Sequence, residues 1–424
     1  MIFNRPLTDE ERRRAQINYN RYSLVNGASY VCLGETVVIL FALKLHAPNV
    51  LIAVVGSMIY FGYLLLPLGV LRTGCVGAAR SQADFWVWRN LAALLAASGA
   101  VAVLFSEHLA WGLLLAGSFL FYGFRAAGVV MAQPLLGDIT TDADRAKLLG
   151  ESSARFYILS VITLAAITFI VGWCDNIRVL TAIIATGALT GIAASTFVRR
   201  IDETSAIRDT ARKPLLPQLR SALADRSLRK QIYAGAVFNL GNIMLAPISV
   251  MALKRGCGVS DRAAILFSLL QFGAAAFGSK LTEPVTRRIG TRGLAVLTYL
   301  LIFPVCLFWI LVPAPGASLP ARCMLGVPFL LLGIYIASYN NAMIGYFLIS
   351  VPKERQVAGS MFINILTGVA ASLASMLAAG TLLKFSEHFF GSGLPMFRAY
   401  FASAGGIFLL TFLLILRLDS FKGK

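Results

Sequence analysis

"VRRIDETSAIRDTARKPLLPQLRSALADRSLRKQ", residues 198–231, is the longest polar stretch of the chain, and apolar segments lie on both sides of it. It is basic, holds Pro214 and Pro217, and in its second part Leu219, Leu223 and Leu228 recur at helical spacing. It reads as a linker lying on a membrane surface, not as a catalytic domain. Outward from it, apolar windows long enough to cross a ~30 Å hydrocarbon layer recur to both ends of the chain. Hydropathy places spans at 24–44, 49–71, 86–105, 109–136, 155–174 and 178–198 before the linker. After it come 231–253, 262–282, 293–313, 323–350, 358–383 and 398–416. The expected fold is an all-α polytopic membrane protein of twelve transmembrane helices in two six-helix bundles. The expected layout is an N-terminal amphipathic segment over 1–23, bundles over 24–198 and 231–417, a linker over 199–230 and a tail over 418–424.

Composition supports the class. Hydrophobic residues make up 58% and charged ones 14% of the 424, too little charge for the surface of a soluble protein of this length. The net charge of +18 is carried by short loops. A positive-inside bias accounts for that without a nucleic-acid partner. Loops on one side hold Arg12, Arg13, Arg14, Arg72, Arg80, Arg145, Lys147, Arg199, Arg200, Arg287, Arg288, Arg292, Lys353 and Arg355. The other side holds chiefly Lys44, Arg178, Lys254, Arg255 and Arg322. Both termini are therefore expected in the cytoplasm, and the protein in the inner or plasma membrane. The charged N-terminus predicts no cleaved secretory peptide, and Thr8-Asp9-Glu10-Glu11 reads as a capping box opening a short amphipathic helix. The five tryptophans, Trp86, Trp88, Trp111, Trp173 and Trp309, fall at span ends and read as interfacial anchors in preference to a stacking platform.

Catalysis finds little support. The three histidines, His46, His108 and His388, sit at separate span ends, and no HExxH or GxSxG motif occurs. The six cysteines lack metal spacing, so no metal or cofactor is expected; Cys174 and Cys257 fall on the same outward side, and whether they pair stays open. No Walker motif points to ATP. A receptor, a channel or a membrane enzyme is the rival class.

The halves echo each other. "TDADRAKLLG" (141–150) joins spans four and five, and "VPKERQVAG" (351–359) joins spans ten and eleven. Each runs from an acidic residue through Arg145 or Arg355 to Gly150 or Gly359, at an offset of about 210 residues that matches the span repeat. Two six-span halves, a basic linker and internal termini together resemble the major facilitator superfamily. The family's loop between spans two and three carries Gly-x-x-x-Asp-x-x-Gly-Arg-Arg. Here "GVLRTGCVGAAR", Gly69 to Arg80, keeps glycines and a terminal arginine but lacks the acid. "GSKLTEPVTRRIGTR" (278–292) is closer, with Gly278, Glu283, Arg287, Arg288, Gly290 and Arg292 in place. The resemblance implies a monomeric transporter working by alternating access, with a cytoplasmic gate at Glu283, Arg287, Arg288, Arg292, Arg145 and Arg355.

The run "FLFYGFRAAGVVMAQPLL" (119–136) sets Arg125 at bilayer depth. An unpaired arginine there costs at least ~2.5 kcal/mol. "FRAAG" resembles the family's span-four motif, an arginine followed closely by glycine, which in proton-coupled exporters tunes a proton site. Glu35 is the other ionisable residue as deeply placed. At ~1.5 Å per residue it lies ~16 Å into span one, and Arg125 lies ~15 Å from the same face. The two are therefore expected to meet in a wet chamber. There Glu35 would carry the coupling proton, with Arg125 favouring the carboxylate whenever it is near. A structural ion pair is the plainer alternative. Asn26, Tyr30, Tyr60, Tyr63, Asn239, Asn242, Gln271, Tyr339, Asn340, Asn341 and Asn364 lie on spans that the resemblance assigns to the cavity. They suit a small polar solute, though singly each is an ordinary interhelical hydrogen bonder. The expected partners are a small-molecule substrate, protons and the lipid bilayer. Import, export, uncoupled facilitation and lipid or lysolipid movement all stay open.

Overall fold

The computed structural model describes residues 1–174, 176–214, 217, 224–259, 261–312 and 324–420. The side chains of 35, 36, 49, 50, 52, 53, 56, 57, 60 and 261–265 lie outside that description. Within it the chain is helical apart from one pair of two-residue strands, β1 (Ile2–Phe3) and β2 (Glu203–Thr204), joined in parallel. Ten helices are long and apolar enough to cross a membrane. Helices are the natural form here, because hydrocarbon offers no partner to an open backbone N–H or C=O.

Ten among the described residues is fewer than the expected twelve, and two local breaks lie where further spans are expected. The second apolar stretch is interrupted: Asn49–Gly62 passes through a tight 3₁₀ turn at Tyr63–Leu65 into Leu66–Val76. Asp261–Tyr299 holds Gly290 at φ 74°, ψ 172°, outside helical space, so two helices meet there in one continuous run. Span three also begins earlier than hydropathy indicates, since its helix runs Ala78–Ala97.

The chain divides into two compact units. The first comprises Met1–Asp144, Arg155–Ala222 and Val351–Asn364; the second comprises Arg145–Ala154, Leu223–Ser350 and Ile365–Lys424. The repeat-related segments behind Arg145 and Arg355 are thus each counted with the unit of the opposite half.

In the first unit, helices approach through glycines. A Cβ placed on Gly69 would lie 2.0 Å from the Ala127 carbonyl oxygen, and one on Gly27 2.3 Å from that of Phe156. The capping box forms as expected: Thr8 Oγ1 accepts from the Glu11 amide at 3.3 Å and Glu11 Oε2 from the Thr8 amide at 2.8 Å. The helix it opens does not stop short of the membrane segment; it runs unbroken over Asp9–Cys32. Part of the linker also departs from a surface strap. Ile201, Asp202 and Glu203 are buried, Asp202 accepts from Arg14 Nη2 at 2.7 Å, and Arg212 Nε donates to the Gly74 carbonyl at 2.7 Å. Leu219 and Leu223 lie outside the described residues, and Leu228 is buried in helix Arg226–Met251.

The second unit is built on aromatic rings. Trp309 stacks on Phe401 at 5.5 Å, Phe238 on Tyr339 at 5.1 Å and Tyr299 on Phe412 at 5.9 Å. Buried phenols need acceptors, and these find backbone. Tyr335 donates to the Phe238 carbonyl (3.2 Å), Tyr339 to Ala234 (3.0 Å) and Tyr400 to Met244 (3.0 Å), while Trp309 Nε1 donates to Ser249 Oγ (2.9 Å). Two tryptophans are therefore not interfacial anchors: Trp309 and Trp86 are core residues whose N–H groups find buried oxygens. Trp173 is 81% exposed. Cys174 and Cys257 are both free thiols, as are Cys32, Cys75 and Cys306.

Candidate functional site

The first membrane helix is interrupted. After Cys32 the chain passes through Leu33 and an extended Gly34 (φ −66°, ψ 157°) and resumes as Glu35–Lys44. A break inside an apolar segment exposes backbone dipoles, and such breaks are tolerated where protein or a polar cavity covers them. On the N-terminal side of the break, Tyr22, Asn26, Ser29 and Tyr30 share one helical face by their spacing.

That face meets Arg89, from helix Ala78–Ala97. Arg89 is 3% exposed. Its guanidinium carbon lies 4.4 Å from the Trp86 ring centre and 5.4 Å from that of Phe121. Its Nη2 reaches Asn26 Oδ1 and Ser29 Oγ only at 3.4 Å each, and its Nε has no partner. Trp86 is fixed in turn, donating to the Tyr22 hydroxyl at 2.7 Å. Two aromatic faces stabilise a desolvated cation by about 2 kcal/mol each at best. Burying an ion without a counter-charge costs several kcal/mol, so the rings offset only part of the cost.

Arg125, on helix Glu107–Val129, is half-buried with its guanidinium carbon 5.6 Å from the centre of the Tyr30 ring. Among the described residues no carboxylate pairs with either arginine. The side chain of Glu35, the expected partner of Arg125, lies outside the described residues, as does that of Tyr60; the Glu35 backbone opens the second segment of the broken helix. The structure thus brings Asn26, Tyr30 and Arg125 together and adds Arg89. Sequence reading missed Arg89 because hydropathy began span three at Trp86, which put the arginine at an interface. The available signal was "FWVWRN", a cation among aromatic rings.

The remaining expected cavity residues belong mostly to the second unit, where several are occupied by helix packing. Tyr339 donates to backbone, as described. Asn341, 1% exposed, accepts from Ser153 Oγ at 2.8 Å and donates to Thr282 Oγ1 at 3.1 Å. Asn239 donates to the Thr367 carbonyl, inside a widened π turn at Leu366–Ala371. Asn364, in the first unit, donates to the Ser360 carbonyl of its own helix at 2.8 Å. Asn340 is exposed, and Asn242 and Gln271 are half-buried.

A family model, described as Major Facilitator Superfamily, matches residues 86–375, more than half of the chain. The chain belongs to the Major Facilitator Superfamily. It is accordingly a multi-pass membrane transporter and not an enzyme. Among curated proteins none matches it in sequence. Its fold resembles the human organic anion transporter MFSD10 (TETRAN), at 15% identity, 95% coverage of this chain, 99% of that one and TM-score 0.67. It also resembles the E. coli fucose:proton symporter FucP, at 13% identity, 97% and 99% coverage and TM-score 0.65. A third likeness is to a bacterial homologue of the iron transporter ferroportin in its outward-facing state, at 13% identity, 95% and 99% coverage and TM-score 0.65. Identities this low establish the fold alone.

Next to the loop that lacks its acid stands another carboxylate. Asp84, twelve residues beyond Arg72, accepts from Arg72 Nη2 at 2.8 Å and from Arg199 Nη2 at 2.7 Å. The later loop forms a local pair, Arg287 to Glu283 at 2.7 Å. Arg292 donates to the Leu416 carbonyl at 2.7 Å, Arg288 and Arg355 are exposed, and Arg145 is buried.

Beside the first loop, Glu203 of the linker caps helix Ala78–Ala97. Its carboxylate accepts from the amides of Ala78 (2.8 Å) and Ala79 (3.2 Å), next to Gly77 at φ 90°. Burial pushes the Glu203 carboxyl up to about 7, the nearby Asp138 carboxylate adds to this, and the two amides oppose it. The folded form therefore binds this proton more tightly than the unfolded chain does. The resulting stabilisation is complete below about 4.5 and is lost as pH rises through about 7. Limited proteolysis near the linker is expected to accelerate between pH 5 and 7.5, and Glu203→Gln should flatten that dependence. An unchanged pH profile in the variant would contradict it.

Proposed function

We propose that this protein is a secondary active transporter that carries a small solute by alternating access and couples the movement to protons through Glu35 and Arg125. In this reading twelve spans form two six-helix bundles in the inner or plasma membrane, both termini are cytoplasmic, and the chain works as a monomer. The first span is broken at Gly34, immediately before Glu35, on a helix whose Tyr30 ring lies under Arg125. That single observation carries the proposal: an interrupted helix beside a membrane-depth cation is how transporters of several folds build ion and solute sites. Asn26, Tyr30 and Tyr63 would line the site in the first unit, and Asn242, Gln271 and Asn340 would supply polar groups in the second. Glu283, Arg287, Arg288, Arg292, Arg145 and Arg355 would form the cytoplasmic gate. Asp84 would stand in for the acid missing from the first signature loop.

The family relatives named above carry different cargo by their descriptions, so cargo is not transferred from them. The test is purified protein in liposomes under an imposed pH gradient, with a panel of sugars, amino acids, organic anions and cationic dyes. Solute movement that follows the gradient and collapses with a protonophore supports coupling. Movement indifferent to the gradient would leave an uncoupled facilitator.

A further inference from the structure

We infer that the solute proposed above is an organic anion, bound in the first unit by the N–H edge of Arg89 with Arg125 beside it. This rests on the transporter reading but names a substrate class that the reading leaves open.

The poorly met donors of buried Arg89 carry the inference. The Trp86 and Phe121 rings occupy the space around the guanidinium where a cation meets π-electrons. The planar fork of N–H donors, which matches carboxylate or phosphate oxygens, is poorly met among the described residues. Of that fork, Nε has no partner, and Nη2 has only neutral oxygens at 3.4 Å. A residue 3% exposed with donors this poorly met is unusual, since buried polar groups are normally satisfied. A purely structural arginine would be expected to find a carboxylate or several short carbonyl bonds. Among the described residues Arg89 finds instead Asn26 and Ser29, both short and neutral, at 3.4 Å.

The second cation sharpens the case. Arg89 meets Asn26 and Arg125 meets Tyr30, one turn apart on the first helix, so an anion held near both would offset two like charges at once. A neutral sugar would leave both without an offset, and a cation would add a third. The surroundings also say something of the rest of the solute. Phe121, which touches Arg89, lines a small apolar pocket together with Leu33, Phe41, Ala93, Leu114 and Ile184. Ala93 lies one turn beyond Arg89 on the same helix, and Leu33 is at the break in the first helix. The pocket is small and suits a methyl group or the edge of a ring. The geometry thus favours a carboxylate or phosphate with a compact apolar end.

The test uses four phenyl-bearing probes on the full chain: benzoate, phenyl phosphate, benzamide and benzylamine. Thermal protection is measured on protein in nanodiscs and uptake on proteoliposomes, both at fixed ionic strength. Benzoate or phenyl phosphate should protect the wild type in a saturable manner, and the neutral and cationic probes should not. Arg89→Gln should weaken anion binding about tenfold or more, the loss expected for a charge-assisted hydrogen bond, while Arg89→Lys retains part of it. Arg125→Gln, which leaves Arg89 in place, should weaken it less. Should Arg89→Gln not fold, the Lys variant and Arg125→Gln still decide the matter. Equal protection by benzamide, no protection by either anion, or anion binding unchanged in the Arg89 variants would overturn the inference and leave Arg89 a packing residue. The two readings fail separately. Liposomes that move neutral or cationic solutes only would sink the anion site and keep the transporter. Arg89-dependent anion binding without any uptake would do the reverse.

Discussion

Replacing Glu35 by Gln is expected to abolish accumulation driven by a pH gradient while leaving solute exchange down its own gradient in place. One pH unit is worth ~1.4 kcal/mol per proton, so a carrier moving one proton per solute sustains about a tenfold concentration ratio. Gln fills nearly the same volume as Glu but cannot release a proton. The variant should still bind and rock, yet reach only equal concentrations on the two sides. The measurement is the steady-state ratio in liposomes at one unit of imposed gradient, with the membrane potential clamped. A wild-type ratio in Glu35→Gln would remove Glu35 from the coupling step. Arg125→Lys is the companion variant, keeping the charge but not the planar fork. It should retain coupling if only the charge near Glu35 matters.

The second large effect is structural. Gly69→Ala should destabilise the protein by about 3 kcal/mol, within the range seen when a packed core is overfilled. The added Cβ would sit 2.0 Å from the Ala127 carbonyl oxygen and 2.8 Å from its carbon. Both are backbone atoms, so neither can swing aside, and the helices Leu66–Val76 and Glu107–Val129 would have to separate. Gly112→Ala is the matched control. It lies on one of those same helices, and a Cβ added there would have nothing within 4 Å. At that position the substitution should be neutral or should stabilise by up to about 1 kcal/mol through helix propensity. Apparent melting temperatures in one detergent compare the two. Equal effects would mean that the close helix approach at Gly69 is not what the geometry indicates.

Much of the architecture could be read from residue order. Apolar windows, a basic linker and the Lys and Arg bias depend on local composition, and the membrane makes local composition decisive. What escaped that reading depends on partners distant in the chain. Arg89 belongs to the interior because Trp86, Phe121, Asn26 and Ser29 converge on it from three helices, and a window average over span three sees only its charge. Asp84 accepts from Arg72 of the first signature loop, but only the fold brings Arg199 to it across 115 positions. The break at Gly34 is marked in the sequence by the glycine alone, which reads as a loosening of span one, since hydropathy continues smoothly through "CLGETVV". Asn341 and Asn239 carried the right chemistry for a cavity, yet their amides are engaged by Ser153, Thr282 and Thr367. Polarity at depth marks a need for partners without saying whether protein or solute meets it.

The tyrosines of the second unit have a mechanical consequence. Helix Arg226–Met251 is fastened at Ala234, Phe238, Met244 and Ser249, four levels along its length, by side chains from three neighbouring helices. A rod pinned at four heights neither slides nor rolls by itself; it travels with its neighbours as one stiff lever. Within that unit the regular helix gives way instead at Gly290.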